Sequence, residues 1–265
     1  DQILILDLNL GYDGTFYPYT TLYKFETEGT LALQAGQSYE LRVQQPGDDV
    51  FSLTSTTTIP ENVSFQRPTF TPGPGRERCL RQVDLVREYK TEFSAGAGAG
   101  AFEIRAYLDY TDNGVEKTAV YGPTPLFTSD VRCNSPGLCY QFREKEIIGR
   151  LFNAIQPDPS NVYTYNVNNF TKCNERTDLL PDVFRFEVTT MDKNLTSYRQ
   201  ANDPTIEDFN TVRSEYTNID GPENTEVLGL FGSITKTIAK ARLNECGESL
   251  LLLNGTPRPQ DCQDL

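Results

Sequence analysis

The segment AFEIRAYLDYTDNGVEKTAVY, residues 101–121, decides the fold class, because apolar and polar side chains alternate along it. A period of two places successive side chains on opposite faces of a β-strand. The Asn113-Gly114 pair interrupts the alternation, and both residues tolerate the positive φ of a tight hairpin turn. The segment therefore predicts an antiparallel hairpin whose first strand has one apolar face. That face consists of Phe102, Ile104, Ala106, Leu108 and Tyr110.

Shorter alternating segments precede this hairpin, and turns separate them at a spacing of about ten residues. Residues 39–43 alternate cleanly, and residues 50–57 follow a turn at residues 46–49. Four prolines between residues 58 and 78 predict a long surface loop. We therefore predict an antiparallel β-sandwich-like domain over residues 1–135.

The periodicity changes in the second half of the chain. Apolar residues between 141 and 155 recur at a spacing near 3.6 and predict a helix. Residues 183–188 predict a strand, and Asp203-Pro204 predicts the start of a short helix. Residues 227–243 predict a further helix, which two glycines weaken. The chain is thus expected to be mainly β, with a disulfide-tied mixed α+β domain over residues 136–265.

The run SAGAGAGA at residues 94–101 alternates alanine with glycine. In a strand, its bare glycine face would let another backbone, sheet or aromatic ring approach closely. A flexible loop of small residues between two strands is the alternative. The sequence leaves both interpretations open.

The composition argues against several functional classes. The chain has no histidine, which rules out Ser-His-Asp and Cys-His catalysis and imidazole metal ligands. Its 37 acidic and 24 basic residues give a net charge of -13, which opposes binding to nucleic-acid phosphates. The longest apolar runs are too short to span a bilayer. We expect no enzyme activity, no catalytic or cofactor-binding residues, no nucleic-acid partner and no membrane span.

Six cysteines without a CxxC pair predict disulfides rather than a zinc site. Cys246 and Cys262 would close a short loop across a turn. Cys133 and Cys139 would do the same, which leaves the other two by elimination, although fifteen pairings are formally open. Oxidised cysteines predict a secreted, extracellular or cell-surface protein. The six are Cys79, Cys133, Cys139, Cys173, Cys246 and Cys262.

Four Asn-X-Ser/Thr sequons predict N-linked glycans, which fits export from the cell. The sequence begins at Asp1 without a signal segment, so we expect that any secretory signal has been removed. The four sequon asparagines are Asn62, Asn169, Asn194 and Asn254.

Oxygen-rich side chains flank the predicted hairpin turn and offer a weak calcium site, the one cofactor that the sequence suggests. Their spacing does not match an EF-hand, and solvated turn residues are the alternative. The residues are Asp109, Asp112, Asn113 and Glu116. No pair of carboxylates stands out as a glycosidase pair among the 37 acidic residues.

The N-terminal segment is apolar on both sides at its start, which an ordinary first core strand would explain. A strand at a free end can alternatively leave its own domain and complete the sheet of a neighbouring copy. Self-association through strand pairing would then involve Ile3, Leu4, Ile5, Leu6 and Leu8.

Together these features predict an acidic, disulfide-stabilised, N-glycosylated extracellular protein with a structural or adhesive role, for example as a self-assembling subunit of a filament or coat. A carbohydrate- or calcium-dependent binding module of the cell surface is the alternative, with glycans as partners. A hydrolase acting through carboxylates ranks third.

Overall fold

The computed structural model divides the chain into two compact units, Asp1–Gln34 and Ala35–Leu265. The first unit contains an antiparallel pair of strands, β1 (Leu4–Leu6) and β2 (Leu22–Lys24). The structure describes residues 4–6, 22–24, 32–44, 52–67, 82–83, 89–127, 139–144, 147–164, 184–201, 217–222, 227, 229–260 and 262.

The second unit is mostly β, and its described residues form eleven strands and three helices. The strands are β3 (Ser38–Gln44), β4 (Ser52–Thr58), β5 (Ser64–Arg67), β6 (Gln82–Val83), β7 (Tyr89–Ser94), β8 (Ala101–Asp112), β9 (Val115–Phe127), β10 (Cys139–Glu144), β11 (Tyr163–Thr164), β12 (Phe184–Met191) and β13 (Ile234–Leu243). The helices are α1 (Ile147–Ile155), α2 (Lys193–Ala201) and α3 (Glu245–Leu250).

The largest sheet, called the central sheet below, has the strand order β11-β8-β12-β13-β6, and β9 also pairs with β8. Its pairings are antiparallel except for that of β13 with β6. The hairpin prediction is confirmed, because β8 and β9 pair on either side of Asn113 and Gly114. These two residues have φ angles of 49° and 82°. Smaller antiparallel sheets have the orders β10-β7-β5 and β3-β4.

One face of the central sheet builds the hydrophobic core. The predicted apolar side chains of β8 are all buried, and β12 adds Phe184, Phe186 and Val188 to the same cluster. Helix α1 packs its buried side chains Ile147 and Leu151 into this cluster. Because β8, β12 and α1 contribute to one cluster, the core holds together segments that are distant in sequence.

The start of the first helix is later than predicted. Residues 139–144 form β10, which pairs with β7 over six residues, and α1 begins at Ile147. Phe142 fits the helical spacing of the apolar residues between 141 and 155, but it lies on this strand. The helix ends at Ile155, as predicted.

The helix predicted over residues 227–243 is wrong. Residues 234–243 form β13, which pairs with the whole of β12. The apolar residues chosen at helical spacing lie on both faces of this strand, since Ile238 is 48% exposed and Leu243 is fully buried. The period of two, together with the hydrogen bonds to β12, outweighs the weak helical pattern.

Other predictions have mixed outcomes. The strand at residues 183–188 is confirmed and extends to Met191, whereas β5 lies inside the predicted loop of residues 58–78. The helix predicted at Asp203-Pro204 lies outside the described residues. Strands from both sides of residue 135 join the central sheet, and a domain division at that point stays a prediction.

Candidate functional site

The face of the central sheet opposite the core carries charged side chains in register. Residues at alternate positions of β8 stand beside those of β12, so that Arg105 pairs with Glu187 and Tyr107 with Arg185. The same row continues onto β13, where Ile238 pairs with Glu187. We call this surface the charged face. It comprises Glu103, Arg105, Tyr107, Asp109, Arg185, Glu187, Lys236, Ile238 and Lys240, with Arg199 from α2.

Glu187 lies at the centre of the charged face and binds three neighbours. Its Oε1 atom lies 3.3 Å from Lys236 Nζ and 3.9 Å from a guanidinium nitrogen of Arg105. The hydroxyl of Tyr107 donates to the same oxygen at 3.3 Å. Only 10% of the Glu187 side chain is exposed, so these donors replace most of its water.

Glu103 repeats this arrangement at the end of the charged face nearest α2. One carboxylate oxygen lies 3.6 Å from Arg105, and the other binds Arg199 of α2. Arg105 therefore bridges Glu103 and Glu187, which links the two buried carboxylates in one network.

Arg185 organises the opposite end of the charged face. Its guanidinium forms an ion pair with Asp109 and lies 4.6 Å above the centre of the Tyr107 ring. Asp109 also accepts a hydrogen bond from Thr118 at 2.8 Å. Burial lowers the pKa of Arg185, while Tyr107 and Glu187 act in the opposite direction. The guanidinium remains charged at neutral pH, because arginine stays protonated in proteins.

The two signs of charge differ in exposure. The Glu103 and Glu187 side chains are 11% and 10% exposed, whereas those of Lys236 and Arg199 are 49% and 43% exposed. The carboxylates thus lie beneath the cations, and the groups that meet solvent are mainly positive. Chemically, such a surface can bind an anionic partner.

Sequence reasoning did not single out the charged face, although its pattern was visible in the quoted hairpin. The apolar positions of β8 predict the core face, while Glu103, Arg105 and Asp109 occupy the alternate positions. A signal is also present in residues 234–243, where Lys236, Lys240 and Arg242 are separated by even numbers of positions and so share one face of a strand, with Ile238 between them. The helix prediction for that segment does not reveal this strand pattern.

The predicted calcium residues do not meet in one cluster. Asp109 lies on the charged face, whereas Asp112 lies on the other face and binds Lys117 at 2.7 Å. Asn113 uses its side-chain oxygen to accept a hydrogen bond from the backbone of Val162 at 3.0 Å. Glu116 is exposed. Calcium binding at this hairpin therefore stays a prediction, with the Asp109 and Asp112 carboxylates already bonded to protein donors.

The disulfide between Cys246 and Cys262 is present, with a Cα–Cα distance of 5.5 Å. It ties the start of α3 to the chain that follows this helix. Helix α3 is also capped by Asn244, whose side chain accepts from Gly247 N at 2.9 Å. Cys79, Cys133 and Cys173 lie outside the described residues, and Cys139 lies on β10.

The sequon asparagines have different surroundings. Asn62 and Asn254 are exposed, and Asn169 lies outside the described residues. The side-chain nitrogen of Asn194, which would carry a glycan, donates to backbone carbonyls of Thr56 at 3.0 Å and Phe231 at 3.3 Å. A glycan on Asn194 would have to replace these bonds, so the folded structure favours Asn62 over Asn194.

The alanine-glycine run connects β7 to β8, and it combines both interpretations that the sequence left open. It is a loop, and it packs closely at two glycines. A Cβ atom on Gly96 would lie 2.8 Å from the backbone carbonyl carbon of Glu61. A Cβ atom on Gly100 would lie 2.5 Å from Thr196 Oγ1 and 2.9 Å from Asp192 O.

Asp192 is the buried polar residue that Gly100 approaches. Its Oδ1 atom accepts from Leu195 N at 2.8 Å and caps α2, and its other oxygen binds the Thr57 hydroxyl of β4. The Thr57 hydroxyl also lies 2.9 Å from that of Ser233. This cluster joins β4, β12 and α2, and these contacts give it a structural role.

The proposed assembly residues are described only in part. Leu4, Ile5 and Leu6 form β1, which pairs with β2 of the same chain. Ile3 and Leu8 lie outside the described residues. Strand exchange with another copy therefore stays a prediction.

In the part of the chain that the structure describes, no three His, Cys, Asp or Glu side chains cluster as a metal site requires. No helix in that part is both long and apolar enough to cross a membrane. Comparisons of the chain with protein-family models, with curated proteins and with solved structures found no match.

Proposed function

We propose that this protein is a secreted structural or adhesive protein that works by surface contact rather than by catalysis. The charged face carries this proposal. It is a regular surface on three paired strands, its carboxylates are held under arginine and lysine, and its cations reach solvent. Such fixed charges favour recognition of a charged surface, because little reorganisation is needed when a partner binds.

The extracellular setting is part of the proposal. The Cys246–Cys262 disulfide supports it, because disulfides persist mainly in oxidising compartments. The exposed sequon at Asn62 also supports it, because a glycan attaches to the side-chain nitrogen, whereas the described hydrogen bond from Thr237 is to the side-chain oxygen. Glycan occupancy and secretion are expected together.

A sandwich-like arrangement is the finer proposal for the fold. The rings of Phe65 on β5 and Phe93 on β7 lie 6.1 Å apart, and Phe93 lies 5.1 Å from Phe102 on the central sheet. These contacts support packing of the β10-β7-β5 sheet against the core face of the central sheet.

Self-assembly into a filament or coat is the form of structural role that we favour. The described part of the first unit holds a single two-stranded sheet, and such a sheet is marginally stable alone in water. Strand pairing with a second copy would stabilise it. Deletion of residues 1–10 should then reduce assembly.

Negative-stain electron microscopy of native protein tests the structural role. We expect filaments or ordered aggregates at high concentration in physiological salt. Mass spectrometry of the same material should find oxidised cysteines and glycans. Uniform single particles with six free thiols and no attached sugar would contradict the proposal.

A further inference from the structure

The charged face differs in sign from the rest of the chain. Among the described residues of β8, β12, β13 and α2 that form it, five are basic and three are acidic. The whole chain has 24 basic and 37 acidic residues, which leaves 19 basic and 34 acidic residues elsewhere. A second copy of the chain therefore offers surfaces that are acidic on average.

We propose that the charged face binds an acidic surface on a second copy of this chain. This inference rests on the proposed contact function and names its partner. The exposed ammonium of Lys236 and guanidinium of Arg199 would meet carboxylates of the neighbouring copy. Glu103 and Glu187 remain bonded to their own cations beneath the contact.

Exposed apolar side chains on this side of the sheet favour a protein partner over an anionic polysaccharide. Ile238 is 48% exposed beside Lys236 and Lys240, and Val120 is 46% exposed in register with Tyr107. Apolar side chains surrounded by polar groups are typical of protein interfaces. The Arg185 guanidinium already stacks on one side of the Tyr107 ring, so a sugar could not stack on the same side.

The proposed contact joins two different surfaces, a cationic face and an acidic one. Contacts between unlike surfaces repeat from copy to copy and form either rings or open chains. Association should therefore continue beyond a dimer as the protein concentration rises. This behaviour distinguishes the inference from a symmetric dimer.

Salt should weaken the contact. Each copy has a net charge of -13, so the copies repel at long range, and the contact depends on local attraction between opposite charges. Raising the salt from about 0.15 M to about 1 M shortens the screening length from about 8 Å to about 3 Å. We expect association to fall over this range.

Sedimentation velocity of the full-length protein can test the inference with a matched pair of variants. Lys236→Gln with Ile238→Thr removes one exposed lysine and one exposed apolar side chain from the charged face. Lys117→Gln with Val115→Thr makes the same types of change elsewhere. Lys117 is 48% exposed and bonded to Asp112, much as Lys236 is 49% exposed and bonded to Glu187. Lys117 and Val115 lie on the other face, in register with Tyr110 and Asp112.

The charged-face variant should raise the dissociation constant of self-association by about tenfold or more, and the control should change it less than about twofold. Circular dichroism melting of both variants confirms that each is folded. Equal effects of the two variants would overturn the inference. A native protein that stays monomeric but binds heparin would also overturn it, while leaving the contact function standing. A monomer that binds neither itself nor heparin would argue against both.

Discussion

The two faces of the central sheet are built on the same strands but carry different kinds of side chain. On the core face, Phe186 and Leu108 are fully buried, whereas Ile238 on the charged face is about half exposed. The core face joins β8 and β12 to α1, while the charged face presents paired charges. The alternation of side chains along a strand therefore places core packing on one face and paired charges on the other.

The two faces also differ in how much they stabilise the fold. Burying one large apolar side chain stabilises the fold by about 1.5–3 kcal/mol. An ion pair between a half-exposed lysine and a buried carboxylate, such as Lys236 with Glu187, adds much less, because the cost of removing the carboxylate from water offsets most of the attraction. The charged face thus adds little to stability for its number of contacts, which fits the proposal that it binds a partner.

The largest expected effect comes from truncation on the core face. Phe186→Ala should lower the free energy of unfolding by about 3–5 kcal/mol, because it leaves a cavity beside Phe184, whose ring lies 4.9 Å from that of Phe186. Ile238→Thr on the opposite face should cost less than about 1 kcal/mol. Urea unfolding of both variants measures the difference, and equal losses would break the contrast between the faces.

The next effect concerns Gly100, at the end of the charged face where α2 is attached. Gly100→Ala should destabilise the fold by about 1–3 kcal/mol, because the added methyl group meets Thr196 and Asp192. Gly149→Ala is the control, since a Cβ atom there meets none of the described residues within 4 Å and α1 gains about 0.5–1 kcal/mol. Thermal melting that shows no loss for the first variant would refute the close approach at Gly100.

A smaller effect is expected for the central carboxylate of the charged face. Glu187→Gln keeps the shape of the side chain but removes the charge that Arg105 and Lys236 share. We expect a loss of about 1–2 kcal/mol in denaturant titrations, below that of Phe186→Ala. Glu116→Gln, at an exposed site, should change stability by less than about 0.5 kcal/mol. A gain in stability for Glu187→Gln would mean that the ion-pair network is unfavourable.

The smallest expected effect is a loss of stability at alkaline pH, caused by Tyr110 at the edge of the core face. Burial is the main cause that raises the pKa of Tyr110 above 10.0. The folded state then holds this proton more tightly than the unfolded state, so stability falls as pH rises above about 10. Tyr110→Phe should reduce that slope in melting curves recorded from pH 8 to pH 11. An unchanged slope would mean that other groups cause the loss of stability at alkaline pH.

Local signals predicted the elements whose pattern was strong. The alternation in β8 and the Asn113-Gly114 turn predicted the hairpin, and a short loop predicted the Cys246–Cys262 disulfide. The segment of β13 failed because its apolar residues satisfy a helical spacing as well as a period of two. Pairing with β12, which lies more than 40 residues earlier, decides between them.

The candidate site depends on the same long-range pairing, and for this reason sequence reasoning missed it. Glu103, Glu187 and Lys236 are far apart in the chain, and only the register of three strands brings them together. The calcium hypothesis had the opposite weakness, because it used neighbours in sequence. Asp109 and Asp112 fall on opposite faces of the sheet, since three positions separate them.

Zero-length carbodiimide cross-linking tests the central claim most directly, because it joins a lysine amine only to a carboxylate in contact with it. Equal amounts of unlabelled and ¹⁵N-labelled full-length protein would be mixed at a concentration where association occurs. Mass spectrometry then separates cross-links between copies from those within a copy. The account predicts cross-links between copies at Lys236 and Lys240 and few at Lys117. Cross-links at Lys117 without any at Lys236 or Lys240 would contradict it.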